Sequence, residues 1–260
     1  MGGRTDSYNI SAKHYDSAYA VKQDLADLPF YVELAKRVGG PVLEVGCGTG
    51  RVLLNIAREG IQIDGLDNSS PMLRVMRGRL GREPSVVRGK AKLFEGDMRS
   101  FRLKKKYPLV IVPFRPMQHM LTVSDQVNAL ATAALHLRDK GLLAFDVFYP
   151  KYERIPAGVG QEILELEWPT GSKPPKTVRR YLRKESFDKI HQNFSATFRY
   201  RTYEGGTLTL EETEPLQLSY YTYPHLRTLF LLAGLEPVEE YGTIAKTPLD
   251  NHASETIFVL

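Results

Sequence analysis

Apolar positions in the first 150 residues come in short, nearly all-apolar runs separated by amphipathic stretches. Pro41 to Val45, Ile61 to Leu66, Ala91 to Phe94, Leu109 to Pro113 and Gly141 to Phe148 read as five strands. Four stretches read as helices: residues 20–38, where Pro29 opens a second segment and Gly39-Gly40 ends it; Arg51 to Glu59; the segment opened by Ser69-Ser70-Pro71; and Ser124 to Leu137. Nearly all-apolar strands alternating with helices predict a parallel sheet covered on both faces. After Pro150 the period drops to two. Leu164, Leu166 and Trp168 alternate with charged neighbours, as do Phe194, Ala196, Phe198 and Tyr200, and Glu204-Gly205-Gly206 reads as a hairpin turn. This predicts roughly four antiparallel strands across residues 160–220. Tyr223 to Ala233 returns to helix, and Glu236 to Tyr241 and Glu255 to Leu260 read as two closing strands. The expected architecture is α/β: a doubly wound, seven-stranded sheet formed by residues 1–149 and 222–260, with an antiparallel β insertion, residues 150–221, after the fifth strand. Ligands of open α/β sheets bind at the carboxyl ends of the strands, so the insertion is expected there as a lid over a pocket.

Composition narrows the class. With 260 residues, 42% hydrophobic and 25% charged, the chain can bury a full core. The single Cys47 excludes an intrachain disulfide. No apolar run approaches the roughly 18 residues of a membrane span, no secretory apolar region stands at the start, and Asp6 occupies the place where a myristoylation signal needs Ser or Thr. A cytoplasmic protein without a membrane partner is the expectation. The net charge of +5 permits an anionic partner without requiring one. Its carriers (Arg74, Arg77, Arg79 and Arg82; Lys104 to Lys106; Arg179, Arg180, Arg183 and Lys184) are dispersed and read as solvated faces.

The chemistry concentrates at Val42-Leu43-Glu44-Val45-Gly46-Cys47-Gly48-Thr49-Gly50, where a strand runs into a helix through three glycines. Such a turn lets a ligand approach the backbone and meet free helix-start N–H groups. It is not the dinucleotide fingerprint, because Arg51 stands where that pattern needs its last glycine, and it lacks the Gly-Lys-Ser/Thr of phosphate-loop ATPases.

With an acidic residue ahead of Gly-x-Gly-x-Gly, the sequence resembles the class I S-adenosylmethionine-dependent methyltransferases, over roughly residues 8–148 and the closing strands. Four sites in order carry the resemblance. Glu44, Gly46 and Gly48 match the loop along the methionine part of the cofactor. Asp67, followed by Asn68, matches the acidic residue that grips the ribose hydroxyls. Gly96-Asp97-Met98 matches the adenine segment, and Val112-Pro113-Phe114 the segment whose backbone faces the reacting centre. The resemblance implies a Rossmann-like fold, S-adenosyl-L-methionine as cofactor with S-adenosyl-L-homocysteine as product, and no metal.

Within that family the chain looks like the small-molecule subgroup. Tyr15, in Ala12-Lys13-His14-Tyr15-Asp16, is similar to the tyrosine that folds over the cofactor, and His119 stands where a histidine commonly follows the fourth strand. Both are implied as catalytic residues, Tyr15 also as a cofactor contact and His119 as a base or a pocket wall. The implied reaction is transfer of a methyl group to a nitrogen or oxygen of a small molecule by in-line displacement. Two alternatives stay open: an RNA or protein methyltransferase using the same cofactor site, and a non-catalytic S-adenosylmethionine-binding protein. Arg115 either binds an acidic group of the acceptor or faces solvent. The sequence sets neither the acceptor nor the oligomeric state.

Overall fold

The computed structural model describes residues 8–21, 27–148, 158–253 and 255–260. The domain boundary expected at 149–150, residues 22–26 of the helix expected over 20–38, and Met1 to Asp6 lie outside the described residues. The chain divides into two compact units, one of residues 26–151 and 219–260, the other of residues 1–25 and 152–218. The N-terminal helix α1 (Asn9–Ala20) therefore groups with the insertion, whereas the sequence placed residues 1–149 with the sheet.

The larger unit runs α2 (Asp27–Val38), β1 (Val42–Val45), α3 (Arg51–Arg58), β2 (Ile63–Asp67), α4 (Ser70–Arg82), α5 (Ser85–Arg88), β3 (Ala91–Glu95), β4 (Tyr107–Val112), α6 (Val123–Leu135) and β5 (Leu137–Phe148). It closes with α7 (Tyr223–Ala233), β10 (Glu239–Tyr241) and β11 (Glu255–Val259). Its seven strands lie in the order β10-β11-β5-β4-β1-β2-β3. Five are parallel neighbours, while β11 is antiparallel to β5 and β10 to β11. Successive strand residues feed two cores, as a pleat of period two requires. Leu43, Val45, Val110 and Val112 pack with Phe145, Phe230 and Phe258 on one face; Val42, Leu109 and Ile111 pack with Leu53, Ile56 and Ile257 on the other. Burial on both faces is why these strands read as nearly all-apolar runs. Helix starts follow local chemistry: the Ser69 hydroxyl accepts the Met72 N–H at 3.4 Å, and Thr122 and Thr222 cap α6 and α7 in the same way.

In the smaller unit α1 joins a four-stranded antiparallel sheet of β6 (Glu162–Pro169), β7 (Lys176–Asp188), β8 (Asn193–Glu204) and β9 (Thr207–Ser219), in that order. Ala18 of α1 packs with Trp168, Val178 and Tyr200. The basic stretch around Arg179 and Arg180 forms the inner strand β7: the side chains of Arg179 and Arg183 are exposed, as read, whereas that of Arg180 is not. Arg180 is buried against the rings of Tyr19 and Phe198 and paired with Glu165 at 3.0 Å; Arg179 pairs with Glu167.

Helix α1 starts at Tyr8 without a side-chain cap of its own. Buried Glu214 of β9 supplies one, accepting the Ile10 N–H at 3.0 Å, the Ser11 N–H at 3.2 Å and the Ser11 hydroxyl. Glu214→Ala is expected to destabilise this unit by about 2–3 kcal/mol, since charge-assisted bonds to buried donors are lost. Amide exchange at Ile10 and Ser11 reads it directly: those two amides should lose protection before the rest of α1.

Candidate active site

Every site residue expected in the larger unit lies at or just beyond the carboxyl end of one of four adjacent parallel strands. Glu44 is the penultimate residue of β1, with Gly46 and Gly48 in the loop beyond; Asp67 ends β2 and Asn68 follows; Asp97 and Met98 come after β3; Phe114 and His119 come after β4. Backbone bonds join these ends. The Gly46 N–H donates to the Leu66 carbonyl at 2.7 Å, and the Gly96 N–H to the Asp67 carbonyl at 3.0 Å. Tyr15 is on α1 in the smaller unit, half-buried with its ring 4.4 Å from that of Tyr19.

Asp67 organises the loop. Its Oδ2 accepts the Gly48 N–H at 2.8 Å and its Oδ1 accepts the Ser69 N–H at 2.8 Å. Burial raises its pKa, with the bonds to the Ser69, Gly48 and Asn68 N–H groups opposing that shift. A carboxylate offers about four acceptor sites, so capacity for hydroxyl donors remains. Glu44 is buried, its Oε2 has no hydrogen-bond partner among the described residues, and burial pushes its pKa well up despite Arg51. A buried carboxylate oxygen left unmatched beside a glycine loop suits a ligand carrying an ammonium group.

The loop is tight where glycine is required. Gly46 has φ +76°, and a Cβ there would meet Cγ of Pro116 at 2.7 Å; Gly50 has φ +81°, and a Cβ there would meet Sδ of Met76 at 1.8 Å. Arg79 of α4 donates to the Thr49 carbonyl at 3.0 Å, so this arginine, read as solvated, fastens the loop instead. Asp97 is gripped by Arg99, whose Nε lies 2.9 Å from Oδ1 and Nη2 2.5 Å from Oδ2, and Arg99 also reaches Asp125. Any base contact by Asp97 must use its remaining lone pairs. Met98 packs at the border of the core and Asn68 is exposed.

After β4 the chain turns through two successive left-handed residues, Phe114 at φ +66° and Arg115 at φ +72°, and then the 3₁₀ turn Pro116–His119. Arg51 lies over the Phe114 ring at 5.0 Å while forked onto Asp27. Arg115 is partly exposed, and its Nη2 donates to Glu255 at 2.7 Å. The 3₁₀ turn is anchored by Tyr221, whose hydroxyl donates to the Met117 carbonyl at 2.5 Å, and by Gln118, which donates to the Ser219 carbonyl at 3.0 Å. Burial alone lowers the His119 pKa to about 4, so its imidazole is neutral at physiological pH. Cys47 is buried and free, and burial pushes its thiol well up, which keeps it un-ionised and inert.

Sequence reasoning passed over Arg79, Tyr31 and Asp146. Asp146 accepts both the Tyr31 hydroxyl, at 2.6 Å, and the Phe114 N–H, at 2.7 Å. It carried a signal: Asp146 is the sole charge in the run Leu142 to Phe148.

Comparison with known proteins agrees with this geometry. Residues 42–141 match a methyltransferase domain family. A dTDP-3-amino-3,4,6-trideoxy-alpha-D-glucopyranose N,N-dimethyltransferase of Streptomyces venezuelae is 30% identical over 145 residues, 55% of this chain and 56% of that one, so this chain spans little more than half of that relative's length. The cypemycin N-terminal methyltransferase of a Streptomyces species is 25% identical over 224 residues, 85% of this chain and 83% of that one. Among solved structures, the CcbJ methyltransferase of Streptomyces caelestis superposes with a TM-score of 0.80 at 22% identity, covering 98% of this chain and 97% of that one. Residues 42–141 thus match a methyltransferase domain family, and the chain shares the fold of the CcbJ methyltransferase.

Proposed function

We propose that this chain is an S-adenosylmethionine-dependent methyltransferase whose acceptor is the amino nitrogen of a small molecule, an amino sugar carried on a nucleotide being the favoured class. The observation that carries the reading is the convergence of Glu44, the Gly46–Gly50 loop, Asp67, Asp97 and the Phe114 turn on the carboxyl ends of four neighbouring strands. The acceptor class is supported by the relative that is named an amino-sugar N,N-dimethyltransferase.

S-adenosylmethionine, when bound, supplies an electrophilic methyl group on a sulfonium. In this reading Asp67 and Asn68 hold the ribose, Asp97 and Met98 the adenine, and Glu44 with Gly46 and Gly48 the amino-acid end. Phe114 lines the reacting end. An ammonium beside Glu44 offsets the burial that now opposes its ionisation. Most of the chain's contribution is alignment, which supplies several kcal/mol, up to about 7–11 in the best cases. Burial lowers the His119 pKa to about 4, which makes it a weak base, so it is assigned as a pocket wall that aligns the acceptor amine rather than as the group that takes up its proton.

The test is turnover: the protein, S-adenosylmethionine and a panel of nucleotide-linked amino sugars, with S-adenosylhomocysteine and the mass gain of the acceptor as readouts. Methylated amine is expected; methylation of hydroxyl acceptors alone, or none, contradicts the nitrogen assignment. With an acceptor in hand, His119→Ala is expected to lower kcat by roughly a hundredfold or more while S-adenosylhomocysteine affinity stays within about threefold. Because His119 titrates near 4, the wild-type rate should show no His119 step near 6.5.

A further inference from the structure

Asp146 is buried in an otherwise apolar stretch of β5, next to β4 in the sheet. Its Oδ1 accepts from Tyr31 of α2 and from the Phe114 backbone, and its Oδ2 lies 4.0 Å from Nε of Arg115. That Nε has no hydrogen-bond partner among the described residues, although the same guanidinium reaches Glu255 of β11. Left-handed backbone at two successive non-glycine residues persists only where surrounding contacts over-determine it. Here they do: Asp146 holds the Phe114 N–H, Glu255 holds the Arg115 head, Arg51 covers the Phe114 ring, and Pro116 fills the space against Gly46.

We propose that Asp146 is a positioning residue of the methyl-transfer site, fixing the Phe114–Arg115 turn and with it the backbone at the reacting end, with Tyr31 orienting the carboxylate. This rests on the cofactor reading above. Packing alone does not account for a carboxylate at this place, since an apolar side chain fills such a position without the desolvation of a charge. What the carboxylate adds is one oxygen for two donors and a second facing a guanidinium. The titratable and charged groups around it are Tyr31 and Asp27 from α2, Arg115 from the turn after β4, and Glu255 from β11. Burial raises its pKa to about 6, against the lowering pull of Tyr31, the Phe114 N–H and Arg115. The charge facing Arg115 is therefore lost as pH falls through about 6.

Three variants separate the parts. Asp146→Asn keeps a carbonyl oxygen for both donors and loses the charge, Asp146→Ala loses both functions, and Tyr31→Phe removes the orienting donor. Two readouts are needed: S-adenosylhomocysteine affinity by calorimetry between about pH 5 and pH 8, and amide exchange at Phe114 without any ligand. Expected results are severalfold weaker binding by Asp146→Asn at the alkaline end and convergence with wild type as pH falls through about 6. The Asn variant should also melt at or above the wild-type temperature at neutral pH. Glu44 and Asp67, also shifted upward, are common to both proteins, so the difference between the profiles reads Asp146 alone. Asp146→Ala should bind at least about tenfold more weakly at every pH and exchange faster at Phe114, with Tyr31→Phe in between. Variants that bind and exchange like wild type overturn the proposal and leave the cofactor reading standing. So does an Asp146→Asn variant that melts lower yet binds normally, which marks a residue of the fold alone. Wild type that fails to bind S-adenosylhomocysteine overturns the cofactor reading itself, and the site role with it, whatever the exchange shows.

Discussion

Gly46→Ala is expected to destabilise the larger unit by about 2–5 kcal/mol, the sum of left-handed backbone strain and overpacking. The residue has φ +76°, and the added methyl meets Cγ and Cβ of Pro116 at 2.7 and 2.9 Å. A proline ring cannot swing aside as a flexible side chain does. Nor can its backbone yield easily, because Phe114 and Arg115 ahead of it are held by Asp146 and Glu255, and Met117 and Gln118 behind it by Tyr221 and Ser219. The displacement therefore falls on the loop between Gly46 and Gly50. Gly48 is the control: it also has positive φ, at +52°, yet a Cβ there meets nothing within 4 Å. Gly48→Ala is expected to cost only the backbone part, about 1–2 kcal/mol. Denaturant unfolding of the two variants checks the contrast, and equal losses would mean that Pro116 yields.

Asp67→Ala is expected to reduce S-adenosylmethionine affinity at least a hundredfold. In the proposed reading two charge-assisted hydroxyl bonds are lost, each on the order of 1.5–3 kcal/mol. The loop is disturbed as well, because the Gly48 and Ser69 N–H groups lose the acceptor that holds them at 2.8 Å. The stability loss should be smaller than the count of broken bonds suggests. Burial already opposes the ionised form of Asp67, so removing the charge relieves a penalty while it strands two donors. A large affinity loss with a modest shift in melting temperature is thus the expected signature, read by calorimetry and thermal unfolding of the same preparation.

The parallel core was legible because burial on both faces leaves a mark: Val42 to Val45, Ile63 to Asp67 and Leu109 to Val112 are buried throughout, and apart from Glu44, Asp64 and Asp67 their residues are apolar or glycine. The glycine loop was legible for the same local reason, since its conformation demands the residue type. What sequence missed depends on distant partners. Helix α1 went unread because its apolar spacing is weak; it is capped by Glu214, 203 residues from Ser11, and seated through Ala18. Within β7 the burial of Arg180 went unread because its partner Glu165 lies on the neighbouring strand, and the register is broken between Lys184 and Ser186. The role of Arg115 could not be read either, because its partner Glu255 lies 140 residues away. Asp146 was the one case where a local sign existed, a single charge inside an apolar strand, and its meaning needed Tyr31 and Phe114 beside it.

The most direct test of the central claim is a calorimetric titration of the purified protein with S-adenosylhomocysteine, using NAD as the control ligand. The account predicts saturable binding of S-adenosylhomocysteine in about the micromolar range and no heat with NAD. Absence of S-adenosylhomocysteine binding, or binding of NAD in its place, would contradict it.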